Sequence, residues 1–135
     1  MRNTFKKEEK LSGKKTFEVL MKHGEDFFSF PFRVKWMFTD AEISFPAQAA
    51  FAVPKRIFKK AVARNKIKRI LRESYRRNKF FFYEALTKKN KRIRVLLIYT
   101  HKEAIELKES DAKIVLTLQK LIKAIDGSAS ATGKT

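Results

Sequence analysis

The sequence predicts an α+β domain built on one mixed four-stranded sheet with helices packed against it. Three observations carry this. Residues 32–39 alternate apolar and, save for Met37, polar side chains, the period of a strand with two unlike faces. Residues 93–100 are rich in β-branched and apolar side chains, as in a strand buried on both faces. Residues 111–125 place Ile114, Val115, Leu118, Leu121, Ile122 and Ile125 at helical spacing.

Taken in order, Leu11 to His23 reads as a first helix. Leu11, Phe17, Leu20 and Met21 fall near one face, and Gly24 supplies a stop. Phe27 to Thr39 is β-like, with Phe32, Val34, Trp36 and Phe38 alternating against Arg33, Lys35, Met37 and Thr39. Ala49 to Val53 is a short third strand ended by Pro54. A long basic helix follows over about Phe58 to Arg77, with Ala63, Ile67, Ile70, Leu71 and Ser74 at spacings of three and four. At about 1.5 Å per residue it is roughly 30 Å long. Phe80 to Lys88 continues as a further helical stretch, then come the buried strand and the amphipathic helix. The order is helix, three strands, helix, strand, helix. The 135 residues fit one domain, residues 1–126, and the small polar residues 127–135 read as a disordered tail.

The charge is large and focused. The chain has 32 Lys and Arg against 14 Asp and Glu, a net +18. Residues 55–79 hold twelve of those cations and one acid, Glu73, and so carry +11 of the +18. Self-repulsion on this scale works against a compact state, and a polyanionic partner is its usual reason. Within the helix Arg64, Lys68 and Arg72 recur every four residues, which predicts a cationic ridge opposite the apolar side. Asn65, Arg69 and Arg76 form the neighbouring row. Arg grips phosphate with two parallel hydrogen bonds and Lys acts as a point charge, while Asn65 can donate to a phosphate or accept from a 2′-hydroxyl.

Other chemistries find little support. With no Cys there is no disulfide or thiolate zinc site. The two His, His23 and His101, are far apart and in no metal-ligand spacing. Glu103 and Glu106 stand near a helix start, where they serve the dipole. No catalytic residue and no metal ligand is therefore expected. The closing Gly133-Lys134-Thr135 resembles the end of a P-loop, but five residues rather than four separate Gly127 from Gly133. No apolar run is long enough for a bilayer span and the charged start is no signal peptide, so a cytoplasmic protein without a membrane partner is expected.

Over roughly residues 11–125, and most specifically within residues 53–73, the sequence resembles the bacterial ribonuclease P protein. Arg64-Asn65-Lys66-Ile67-Lys68-Arg69 followed by Arg72-Glu73 matches the family's core signature. Val53-Pro54-Lys55-Arg56 and Lys60-Ala61-Val62 match the approach to it, and Phe17, Lys22 and Gly24 match an N-terminal pattern. Two departures stand out: Lys66 replaces a second Arg and forgoes any bidentate contact, and Met21 replaces a second aromatic and cannot stack as a ring. The resemblance implies a ribosomal protein S5 domain 2-like α/β sandwich, with a left-handed crossover through the basic helix joining two parallel central strands. It implies an accessory subunit of an endoribonuclease, a hydrolase whose catalytic part is RNA. Arg64, Asn65, Lys66, Lys68, Arg69, Arg72 and Arg76 would then contact the ribonuclease P RNA. A cleft between the sheet and the first helix would hold the 5′ leader of precursor tRNA.

A single strand asks for a basic groove with aromatic platforms. Phe17, Met21, Lys22, Trp36, Lys55 and Arg56 are the candidates for it, with Lys35. Trp36 and Lys35 point to opposite faces of their strand, so only one can line the cleft. No cofactor is expected on the protein itself, Mg2+ belongs to the RNA active site, and one copy per complex is expected. The alternative is a general or ribosomal RNA-binding protein, which charge and aromatics alone would fit equally well. A DNA-binding helix is disfavoured because no short turn and partner helix precede it.

Overall fold

The computed structural model describes residues 5–133, with side chains to residue 127. Residues 1–4 and 134–135, including the last two of the expected tail, lie outside the described residues. A 3-10 turn at Lys7–Glu9 precedes α1 (Lys14–His23), β1 (Glu25–Ser29), β2 (Phe32–Phe38), β3 (Ala47–Ala52), α2 (Ala61–Asn78), α3 (Phe80–Lys89), β4 (Ile93–Tyr99) and α4 (Leu107–Gly133).

The sheet order is β1-β2-β4-β3. The β1–β2 hairpin turns at a cis Phe30-Pro31 peptide and sets Phe28 opposite Arg33 and Asp26 opposite Lys35. β2 runs antiparallel to β4, with Val34 against Leu97 and Trp36 against Val95. β3 and β4 are the parallel pair joined through α2 and α3. Only β4 of that pair is central. β3 is an edge strand, contrary to the expectation of two central strands, and a bridge from Lys10 and the Leu11 N–H to the Ala49 carbonyl at 3.0 Å covers part of its edge.

Strand periodicity sorts the side chains. Phe32, Val34, Trp36, Ala47, Ala49, Phe51, Ile93, Val95, Leu97 and Tyr99 form one face, buried beneath α2, α3 and α4. Leu96 looks the other way, onto Leu11 and Leu20, with Phe17, Met37, Ala50, Ala52 and Ile98 packed around them. β4 is thus apolar apart from Arg94, whose Nε donates to Gln48 Oε1 at 3.2 Å, because both its faces are covered. Trp36 is 1% exposed and meets Phe38 edge-on, with centroids 5.2 Å apart. Its assignment to the leader cleft is therefore corrected: it belongs to the main core, on the face that three helices cover.

Helix boundaries move for local reasons. α1 starts at Lys14, not Leu11, because Gly13 takes φ 95 and turns the chain out of the extended segment that holds Leu11. It ends at Gly24, whose N–H meets the Leu20 carbonyl at 2.8 Å and where a Cβ would lie 2.5 Å from that oxygen. α2 starts at Ala61, not Phe58, because Ile57 and Phe58 both donate to the Pro54 carbonyl in a turn. Ile67, Leu71, Ser74 and Tyr75 are its buried side. The expected Ala63 and Ile70 are only half-buried, and Tyr75 takes their place in the core. Ser74 is buried without penalty because its hydroxyl bonds Ser110 of α4 at 2.7 Å. The backbone of α4 runs from Leu107 through Gly133, beyond the amphipathic 111–125 and over residues whose composition predicts disorder; its alanines are strong helix formers.

The 3-10 turn is fastened by a buried charge cluster. Glu9 is 1% and Lys79 2% exposed, and the two form an ion pair. The Tyr83 hydroxyl donates to the same Glu9 oxygen at 2.8 Å, and the Lys6 N–H donates to the other at 2.8 Å. The ammonium of Lys79 also lies 5.3 Å from the Tyr83 ring centroid. Burial pushes the Tyr83 and Tyr75 phenols far above the ordinary tyrosine range, and their hydroxyls are linked at 3.3 Å. Residues 5–10 are thereby held against the α2–α3 junction.

Candidate nucleic-acid interface

A helix advances about 100° per residue, so a spacing of four drifts by about 40° each step. By Arg72 a row begun at Arg64 has turned about 80°. The expected ridge therefore divides. Asn65, Arg69, Arg72 and Arg76 share one stripe of α2 and line a groove of about 520 Å3 with Phe5, Lys10 and Glu73. Arg64 leaves the stripe. Its Nη1 donates to the Phe58 carbonyl at 2.7 Å and the Lys59 carbonyl at 2.9 Å, tying the approach loop to the helix. Lys68 is half-buried and Lys66 exposed, both away from the groove lining.

Asn65, Arg69 and Arg72 are exposed. Arg76 is oriented by Glu73, with Nε to Oε1 at 2.9 Å and Nη2 to Oε2 at 2.6 Å. Those hydrogen bonds hold the Glu73 carboxyl below the usual range. Arg77, next along, pairs with Asp111 of α4 at 3.1 Å. The opposite wall comes from the N-terminal segment. Phe5 packs edge-on to Tyr75 at 5.4 Å and the Lys10 ammonium lies 5.6 Å from the Phe5 ring. Sequence reasoning missed Phe5 and Lys10. No local pattern marks them, because the Lys10 bridge to Ala49 and the Glu9 pair with Lys79 join distant parts of the chain.

The second candidate region surrounds α1. Phe17, Met21 and Lys22 share a face with Lys14 and Glu18, around a shallow open depression. Phe17 is half-buried against the smaller core cluster, and Met21 is 47% exposed. Lys35 is on this side of the sheet and Trp36 on the other. Its Nζ donates to the Met21 carbonyl at 3.2 Å, at the negative end of α1, and lies 3.7 Å from Asp26. Lys55 and Arg56 are exposed in the turn after β3 and do not line the α1 depression.

Arg33 grips Asp26 on the same sheet face, with Nη2 to Oδ2 at 2.7 Å and Nε to the carboxyl at 3.2 and 3.3 Å. These bonds hold the Asp26 carboxyl below its ordinary value. A depressed carboxyl stabilises the fold above its unfolded pKa of about 3.9, and that contribution fades as pH falls through the folded value. Arg33→Ala is expected to move the Asp26 titration seen by NMR upward; an unchanged midpoint would show that Arg33 is not its cause.

The sequence profile of the family described as Ribonuclease P matches residues 5–126. The chain belongs to the Ribonuclease P family. It is 30% identical over 80 residues to the ribonuclease P protein component of Porphyromonas gingivalis, covering 59% of this chain and 58% of that relative's length. The RNase P protein of Staphylococcus aureus superposes with a TM-score of 0.61 at 21% identity, over 84% of this chain and 97% of that one. The RNase P protein of Thermotoga maritima gives 0.63 at 22% identity, over 83% and 96%. At these identities the two structures speak for the fold alone, and the shared fold is the mixed sheet with its helices. Among the described residues of this Ribonuclease P family member, no three His, Cys, Asp or Glu cluster to hold a metal ion, and no helix is long and apolar enough to cross a membrane.

Proposed function

We propose that this chain is the protein subunit of ribonuclease P, working in the cytoplasm as one copy beside a catalytic RNA. In this reading α2 binds the ribonuclease P RNA, and the sheet face beside α1 binds the 5′ leader of precursor tRNA. The RNA and its magnesium ions cut the phosphodiester, and the protein assists removal of the leader to give the mature 5′ end. The observation that carries the reading is the exposed stripe Asn65, Arg69 and Arg72, completed by the pre-oriented Arg76 and faced by Lys10. Arg69 and Arg72 can each grip a phosphate with two parallel hydrogen bonds, while Arg76 commits Nε and Nη2 to Glu73 and adds its charge to the stripe. The signature in residues 64–73 favours this over a general RNA-binding protein.

Reconstitution tests it. Added to ribonuclease P RNA at low magnesium, the protein is expected to restore cleavage of precursor tRNA at the mature 5′ end. Cleavage that is the same with and without protein would reject the proposal. Within it, Phe17→Ala is expected to weaken binding of precursor tRNA by about 5- to 100-fold, as for loss of one stacked base, and to leave mature tRNA binding nearly unchanged. Equal losses for both would return Phe17 to a packing role.

A further inference from the structure

At the end of the sheet where the β1–β2 hairpin turns, two aromatic rings stand open. Phe28 is 60% and Phe30 45% exposed, with centroids 6.5 Å apart. The His101 ring meets Phe30 edge-on at 5.1 Å, and the Lys113 ammonium of α4 lies 5.7 Å from the Phe30 centroid. Arg33 stands opposite Phe28 in the strand register with 56% of its side chain exposed, and Lys102 is exposed beside His101. Of the nearby acids, Asp26 is bound by Arg33, and the exposed Glu103 carboxylate lies 3.7 Å from the His101 ring.

We propose that Phe28 and Phe30 form a platform on which unpaired RNA bases stack, with Arg33, Lys102 and Lys113 drawing in the phosphates. The proposal rests on the RNA-binding reading but on none of the residues of α2. Exposed rings beside cations are what a single strand needs, because every base has a π-face and every linkage a negative charge. A protein partner with an apolar face is a weaker fit, since Lys102 and Lys113 beside the rings have no carboxylate partner among the described residues, and Asp26 is bound by Arg33. Phe28 also shares its sheet face with Lys35, so the platform continues the side of the sheet that carries α1.

The test uses the full chain with Phe30→Trp. The natural Trp36 is buried and gives a constant background. Octauridylate is expected to quench the new fluorescence to saturation, and an abasic ribose-phosphate octamer to quench it little. Adding Phe28→Ala should weaken the octauridylate affinity at least about fivefold, the lower range for a lost stack. Both side chains are exposed, so the variants should keep the wild-type melting temperature. Absent quenching, or equal quenching by the abasic octamer, overturns the platform. So does concentration-dependent self-association that disappears in Phe28→Ala, since a second copy would then be the occupant. Affinity for ribonuclease P RNA, measured on the same samples, separates the two readings: if it persists without quenching, only the platform fails.

Discussion

Arg69→Ala combined with Arg72→Ala is expected to weaken assembly with ribonuclease P RNA by at least about 100-fold near physiological salt. Each guanidinium lost removes a charge-assisted contact worth roughly 1.5–3 kcal/mol. The logarithm of affinity should also depend less steeply on the logarithm of salt concentration, the slope falling by about two, one for each phosphate released. Both side chains are exposed and neither carries an internal contact in the groove, so the melting temperature should hold. Relief of like-charge repulsion along α2 works slightly in favour of the variant. Arg64→Ala should behave differently. It frees the Phe58 and Lys59 carbonyls and loosens the start of α2, so its loss should fall more on stability than on the salt slope. Filter-binding titrations across a salt series distinguish the two, and equal slopes for wild type and the double variant would remove the stripe from the interface.

The largest stability effect is expected at the Glu9–Lys79 pair. Glu9→Ala removes the carboxylate that the buried Lys79 ammonium and the Tyr83 hydroxyl share, which costs about 3–5 kcal/mol. For a chain of this length that corresponds to a fall in Tm of about 10 °C or more. Replacing both partners by apolar residues, Glu9→Leu with Lys79→Met, should recover much of the loss, because no charge then remains to be desolvated. The same pair positions the segment that brings Phe5 and Lys10 to the α2 groove. Glu9→Ala should therefore also weaken RNA assembly, although Glu9 is buried and repels phosphate. Thermal unfolding by circular dichroism decides the point. A Tm within about 3 °C of wild type would mean that water reaches Lys79 and the cluster is not the clamp described.

The physical reasons that made some of this legible in sequence also explain what was not. Alternation in β2 assigned Phe32, Val34 and Trp36 to one face and Arg33, Lys35 and Met37 to the other, because a strand has a period of two. It could not say which face the helices would cover, since both carry large apolar side chains, and so Trp36 was left open between core and cleft. The packing side of α2 was readable at Ile67, Leu71 and Ser74. The cationic side was misdrawn because a spacing of four was taken as a straight row, when 3.6 residues per turn carries Arg72 away from Arg64 and onto the stripe of Asn65 and Arg69. The edge position of β3, the Lys10 bridge and the Glu9–Lys79 pair depend on chain crossings 39 to 70 residues apart. No local pattern encodes them.

Because the chain has no Cys, a single one can be introduced as a reporter. The central claim is that the Asn65–Arg76 stripe of α2 lies directly on the ribonuclease P RNA. Asn65→Cys and, as a control on α3, Glu84→Cys would each carry a tethered hydroxyl-radical source in the assembled complex; both positions are exposed. The claim predicts strong, localised strand cleavage of the ribonuclease P RNA from position 65 and weak cleavage from position 84. Cleavage from position 84 that equals or exceeds that from position 65 would contradict it.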